Sequence, residues 1–199
     1  MKTTIKIAVI AMMVMSLRIS AQKSFFELGF KAGLNLNHIS NSDSSFYEFQ
    51  KLKQDFLFGI FTQFRISDIL TLQPELMYSQ QGGFIDIESV KYDGADYNYF
   101  NIPLILKTYP SENGFNIHGG PQIGFLISGS RYYSYKDINV DISEELNPLD
   151  FSVGLGLGYD TENFVFEARY NFGINSTQKS SYGGSHPLRT IQLSFGIKI

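Results

Sequence analysis

The feature that most limits what this chain can become is a two-residue alternation of apolar and polar side chains, repeated in eight separate segments. In the first, Phe26, Leu28, Phe30, Ala32, Leu34 and Leu36 share one face, and Glu27, Gly29, Lys31, Gly33, Asn35 and Asn37 share the other. The same pattern returns near Asp55 to Ser67, Leu70 to Gln81, Tyr99 to Lys107 and Phe115 to Ile127. It returns again over Phe151 to Asp160, Phe164 to Asn175 and Thr190 to Ile199. A period of two is that of a β-strand with unlike faces. Beyond the first two dozen residues no stretch keeps the helical period for three turns.

Two closed structures use such strands. A soluble barrel turns its apolar face inward; a membrane barrel turns it toward lipid and keeps a polar interior. The polar face decides between them, because it is rich in Gly, as in Gly154-Leu155-Gly156-Leu157-Gly158. Glycine suits a narrow interior better than a solvated surface, and bulky Phe, Leu and Ile on all eight opposite faces would overfill a small barrel. The Gly154–Gly158 run mimics part of a dinucleotide loop, but it opens no helix that would cradle a phosphate. The expectation is an eight-stranded antiparallel up-and-down transmembrane β-barrel.

The connections agree. Those around Ser67-Asp68, Pro110–Gly114 and Thr161–Asn163 are short, whereas Asn37–Gln54, Gly82–Asp96, Gly129–Leu149 and Ser176–His186 read as long loops. Short periplasmic turns and long external loops are the rule for such barrels. The terminal apolar strand, reaching Ile199, is expected to pair with the first and remove the open edges. Pro74 and Pro103, lying inside strands, are expected to mark bulges, since proline cannot donate to a ladder.

Ahead of the strands stand Lys2 and Lys6, an apolar run from Ile7 to Leu17, and the small residues of Ser20-Ala21-Gln22. That is the layout of a secretory signal peptide, and the apolar run falls short of the roughly 20 residues a spanning helix needs. Residues 1–21 are expected to be removed and residues 22–199 to form the barrel. Cysteine is absent, which excludes disulfides and thiol chemistry, and the net charge of -3 excludes a basic nucleic-acid surface.

Several blocks resemble the PorT-like outer-membrane β-barrel family. They are Gly29-Phe30-Lys31-Ala32-Gly33-Leu34-Asn35, Leu72-Gln73-Pro74-Glu75-Leu76-Met77-Tyr78-Ser79-Gln80-Gln81-Gly82 and Phe100-Asn101-Ile102-Pro103-Leu104-Ile105-Leu106-Lys107. Gly119-Gly120-Pro121-Gln122-Ile123-Gly124 and Arg169-Tyr170-Asn171 come next in the same order. The resemblance implies the barrel and an outer-membrane location. It implies little about activity, although the namesake members are accessories of a secretion and gliding apparatus.

The inward face carries Lys31, Arg65, Glu75, Lys107, Glu167 and Arg169 beside Gln63, Gln73, Asn101 and Gln122. Side chains nearly fill an eight-stranded barrel, and an unpaired charge in such a space is costly. Lys31, Glu75, Glu167 and Arg169 are therefore expected to form a structural ion-pair cluster in the lumen, with a gated path or small-molecule site as the functional alternative. No catalytic, cofactor-binding or metal-binding residues stand out. His38, His118 and His186 share no ligand spacing, and Ser128 and His118 are placed on one face of a strand but far apart. In the third long loop, Arg131-Tyr132-Tyr133-Ser134-Tyr135 and the acidic stretch after it read as membrane-surface aromatics and then a solvated segment.

The function expected is that of a non-enzymatic structural, binding or secretion-accessory envelope protein. It would contact outer-membrane lipid and would meet a protein partner through its external loops or in the periplasm. An outer-membrane hydrolase and a soluble periplasmic ligand-binding barrel are the alternatives.

Overall fold

The computed structural model describes residues 25–39, 53–87, 90–133, 137–179 and 187–199. The expected signal peptide and most of the first long loop lie outside the described residues. The strands are β1 (Phe26–Ile39), β2 (Lys53–Ser67), β3 (Leu70–Ile87), β4 (Val90–Thr108) and β5 (Phe115–Tyr133). After them come the short β6 (Ile138–Asp141), a 3-10 turn (Ser143–Glu145), β7 (Leu149–Asp160), β8 (Phe164–Gly173) and β9 (Leu188–Lys198). All pairings are antiparallel. The sheet closes because β1 pairs with β9 as well as with β2, for example Phe30 opposite both Ile60 and Ile197, and β4 pairs with β5. Eight strands thus form a closed barrel, and β6 is an extra strand laid on the end of β5.

Alternation becomes facing. Phe30 is 56% exposed and Leu155 58%, while Lys31 and Glu75 are 4% exposed. Most apolar residues of every barrel strand form an outer belt, and the polar ones fill the interior together with a few apolar side chains such as Phe61, Met77 and Ile105. This is the inverse of a water-soluble fold, and its solvent is hydrocarbon. Tyr78 packs tilted against both Phe56 and Phe58 on that outer face.

Three expectations are corrected. Gly82–Asp96 is not a loop: β3 and β4 stay paired through it, with Gly82 opposite Asp96, Phe84 opposite Gly94 and Ile87 opposite Val90. Backbone pairing satisfies these residues above the belt, where no apolar face is needed to signal a strand. Gly129–Leu149 likewise contains the end of β5, all of β6 and the 3-10 turn. Pro74 and Pro103 mark no bulge, for the register is the same on both sides of each, with Pro74 opposite Leu104 and Pro103 opposite Gln122. The register shifts fall instead at Arg65/Ser67, Ile85/Ile87 and where β4 residues Asn98/Tyr99 meet β5.

Candidate functional site in the barrel lumen

The sequence places one or two charged residues on the inward face of several strands, and closure of the barrel brings them together. Lys31 Nζ on β1 lies 2.7 Å from Glu75 Oε1 on β3 and 2.5 Å from Glu167 Oε2 on β8. Arg169, two residues along β8, forks onto Glu75 with Nη2 at 2.8 Å and Nη1 at 3.2 Å, and its Nη2 is 3.0 Å from Glu167. The four residues singled out in the sequence therefore meet in one cluster. Two members were missed. Lys107 Nζ stands 2.9 Å from Glu167 Oε1 and 2.9 Å from Asp160 Oδ2, extending the chain of charges toward the rim with the short turns. Both residues alternate onto the polar faces of their segments, but only the closed barrel shows that those faces meet.

Three cations thus neutralise three carboxylates, and amide and hydroxyl donors fill the remaining acceptor positions. Gln73 Nε2 donates to Glu75 at 2.7 Å and to Glu167 at 3.0 Å. Asp160 also accepts from Gln63, Tyr109 and Asn116 at 2.8 to 3.0 Å. Buried charges are tolerated when paired and hydrogen-bonded in this way. Beside Lys31 the ring of Phe61, 1% exposed, lies 5.3 Å from the ammonium. Its edge occupies space that only glycine leaves on β1 and β9: a Cβ at Gly29 would come within 2.4 Å of Cζ, and one at Gly196 within 2.9 Å of Cε1. Arg65 stands apart, near the short-turn end of β2 beside its register shift.

Among the described residues, His118 and Ser128 do not come together as a hydrolytic pair. His118 faces the lumen with Nδ1 2.9 Å from Asn116 Oδ1. Ser128, placed on the same face in the sequence, is instead turned to the opposite one. The register shift inserts Ile127, so that Ser128 pairs with Asn98 and accepts its amide at 2.9 Å on the outer side, where Tyr78 donates to Asn98. The side chain of His38 and all of His186 lie outside the described residues. Among the described residues, no three His, Cys, Asp or Glu side chains converge to hold a metal.

Toward the rim with the longer connections, Lys53 pairs with Asp55 and Asp96, and Asp55 also accepts from Asn37 at 2.7 Å. Beyond it is an apolar cap made of Ala95, Tyr97, Tyr99, Ile142, Leu146 and Leu188. Ile142 and Leu146 belong to the segment after β6, which folds down into the mouth. It is held there by Asn147 Nδ2 donating to the carbonyls of Ser176 and Gln178, and by Lys179 N donating to Glu145 O at 3.0 Å. At the foot of that segment the Ser143 amide donates to Asp141 at 2.8 Å, and the Ser143 hydrogen bonds hold the Asp141 carboxyl below its ordinary value of 3.8.

An apolar belt around a neutralised polar core is the arrangement of a barrel that lives in a bilayer. A family model described as outer membrane protein beta-barrel domain matches residues 20–179. The chain belongs to that family. The outer-membrane barrel also resembles the attachment invasion locus protein Ail of Yersinia pestis, with a TM-score of 0.52 and 13% identity, over 88% of this chain and all (100%) of that one. Ail in complex with the heparin analogue sucrose octasulfate gives 0.54 and 14%, over 88% and 100%. Neisserial surface protein A gives 0.52 and 13%, over 88% and 98%. At such identities the likeness is one of fold. No curated protein matches the chain.

Proposed function

We propose that the protein is a non-enzymatic envelope protein whose barrel is a sealed foot in the outer membrane and whose external strands and loops bind a partner outside the cell. The observation that carries this reading is the contrast between the two ends of the structure. The lumen is closed by a neutral ion network and an apolar cap, and water-filled channels belong to barrels of about 16 strands or more. Above the belt, by contrast, β3, β4, β5 and β6 continue as one sheet, on which Tyr132, Ile138 and Val140 are exposed. Exposed aromatic and branched side chains on a rigid sheet are the raw material of an interface. That a barrel of this fold, Ail, is found with a heparin analogue supports an external ligand here.

The finer parts of the proposal rest on sequence. Export through a signal peptide over residues 1–21, leaving residues 22–199, is supported by the lysines, apolar run and small residues at that end. Kinship with PorT-like barrels, and with it a secretion-accessory role, is supported by the blocks from Gly29 to Asn171. The test is electrical and genetic. The purified protein in a planar bilayer is expected to give no steady conductance. A variant lacking residues 134–141 is expected to remain heat-modifiable on gels yet fail to restore a deletion strain. A persistent open channel, or full restoration by the variant, would refute the reading.

A further inference from the structure

Between the ion network and the apolar cap lies a layer that resembles neither. Asp150, on β7, is 5% exposed and, unlike the other buried carboxylates among the described residues, has no Lys or Arg within ion-pair distance. Its Oδ1 accepts no hydrogen bond, and neither do Gln122 Oε1, Ser152 Oγ and Asn171 Oδ1, on side chains at most 5% exposed. These four residues line one cavity of about 10 Å³, room for a single water-sized particle. The ladder explains the convergence. Gln122 faces Ser152 across β5 and β7, Asp150 lies one inward position along opposite Gly124, and Asn171 faces Gly154 on the other side. The absence of a side chain at Gly124 matters, since a Cβ there would stand 2.5 Å from Asn101 Oδ1 and 3.3 Å from Asp150 Cβ.

We propose that this layer is a binding site for one monovalent alkali cation of sodium size. A carboxylate buried without a countercharge is costly, and several acceptor oxygens without a donor add to the cost. A water molecule would satisfy some of the dipoles and leave the charge. A cation answers both. One carboxylate among neutral oxygens matches a single positive charge. Calcium takes about 6 to 8 oxygens, and magnesium keeps several of its waters, for which this cavity has no room. The guanidinium of Arg169 below is already committed, through both terminal nitrogens, to Glu75 and Glu167. With the cap above and the network beneath, the ion would be enclosed as the barrel closes and would exchange slowly afterwards.

That enclosure sets the experiment. The protein is refolded from urea into detergent micelles in sodium chloride or in choline chloride at equal ionic strength, and passed through a sodium-free gel-filtration column. Sodium retained per barrel and the unfolding midpoint are then measured. One retained sodium ion, with a higher midpoint after refolding in sodium chloride, is expected. Asp150→Asn should lose both effects while still folding. Should that variant not fold, Gln122→Met, which removes one oxygen at similar shape, decides the question by losing the retained sodium. Equal retention by the variants would overturn the site. So would a wild-type barrel that keeps no sodium and has one midpoint in both salts, which would mean that water alone fills the layer.

Discussion

Removing Glu75 tests the central claim about the lumen. Its carboxylate is shared by Lys31, Arg169 and Gln73 at 2.7 to 3.2 Å. With Glu75→Ala, Lys31, Lys107 and Arg169 confront only Asp160 and Glu167, so the lumen carries one positive charge in excess. Breaking a buried pair from one side costs about 3–5 kcal/mol. A cavity of about 10 Å³ lined by Lys31, Glu75 and Arg169 gives water a foothold, which places the cost at the lower end, about 3 kcal/mol. That is roughly two powers of ten in the folding constant. Removing Lys31 as well restores the balance at two charges of each sign, so Lys31→Ala/Glu75→Ala should be more stable than Glu75→Ala alone. The assay is reversible urea unfolding in lipid vesicles, monitored by far-ultraviolet circular dichroism and by the boiled-versus-unboiled gel shift, since the chain has no tryptophan. A Glu75→Ala midpoint equal to that of the wild type would refute the reasoning. A double variant weaker than both single variants would refute the charge-balance account in particular.

Other parts of the fold lead to three further outcomes. Phe61→Ala should lose about 3–5 kcal/mol in the same titration, because Gly29 and Gly196 offer no side chain to fill the void. Leu155→Arg, on the lipid face, should cost about 2–4 kcal/mol and reduce recovery of heat-modifiable barrel from membranes, whereas the same change in a lipid-free fold with Leu155 in water would be neutral. Because the folded Asp141 carboxyl titrates below 3.8, its hydrogen bonds to Ser143 contribute while it is ionised and are lost as the pH falls through its lowered value. Protease cleavage near residues 137–145 should therefore rise in acid, and Asp141→Asn should flatten that rise.

The barrel was legible because lipid enforces what the sequence repeats: outward positions in the belt are apolar and most inward ones are polar or small. Where lipid ends, the signal ends. The outer halves of β3 and β4 carry Gly82, Gly83, Gly94 and Ala95, which alternate in nothing the eye can count, although their backbone pairing is unbroken. Local reasoning failed at Pro74 and Pro103 because a ladder can omit a hydrogen bond without changing register. It failed at Ser128 for the opposite reason, since the insertion at Ile127 carries no proline or glycine to announce it and inverts the facing of Ser128 beyond it. In the lumen, the inward charges could be read from parity. That Asp160 and Lys107 extend the cluster depends on which strands end up across from one another, a property of the closed ring and not of any segment.

The seam between β1 and β9 has a consequence for how this protein is made. Its pairs, such as Phe30 with Ile197 and Leu34 with Leu193, join the earliest strand to the latest. Until β9 is present, β1 and β8 each offer a row of unsatisfied amides and carbonyls, flanked by aromatic side chains, to any other unfolded chain nearby. No shorter subset of strands can close first and wait, so the entropy of bringing distant segments together is met late and all at once.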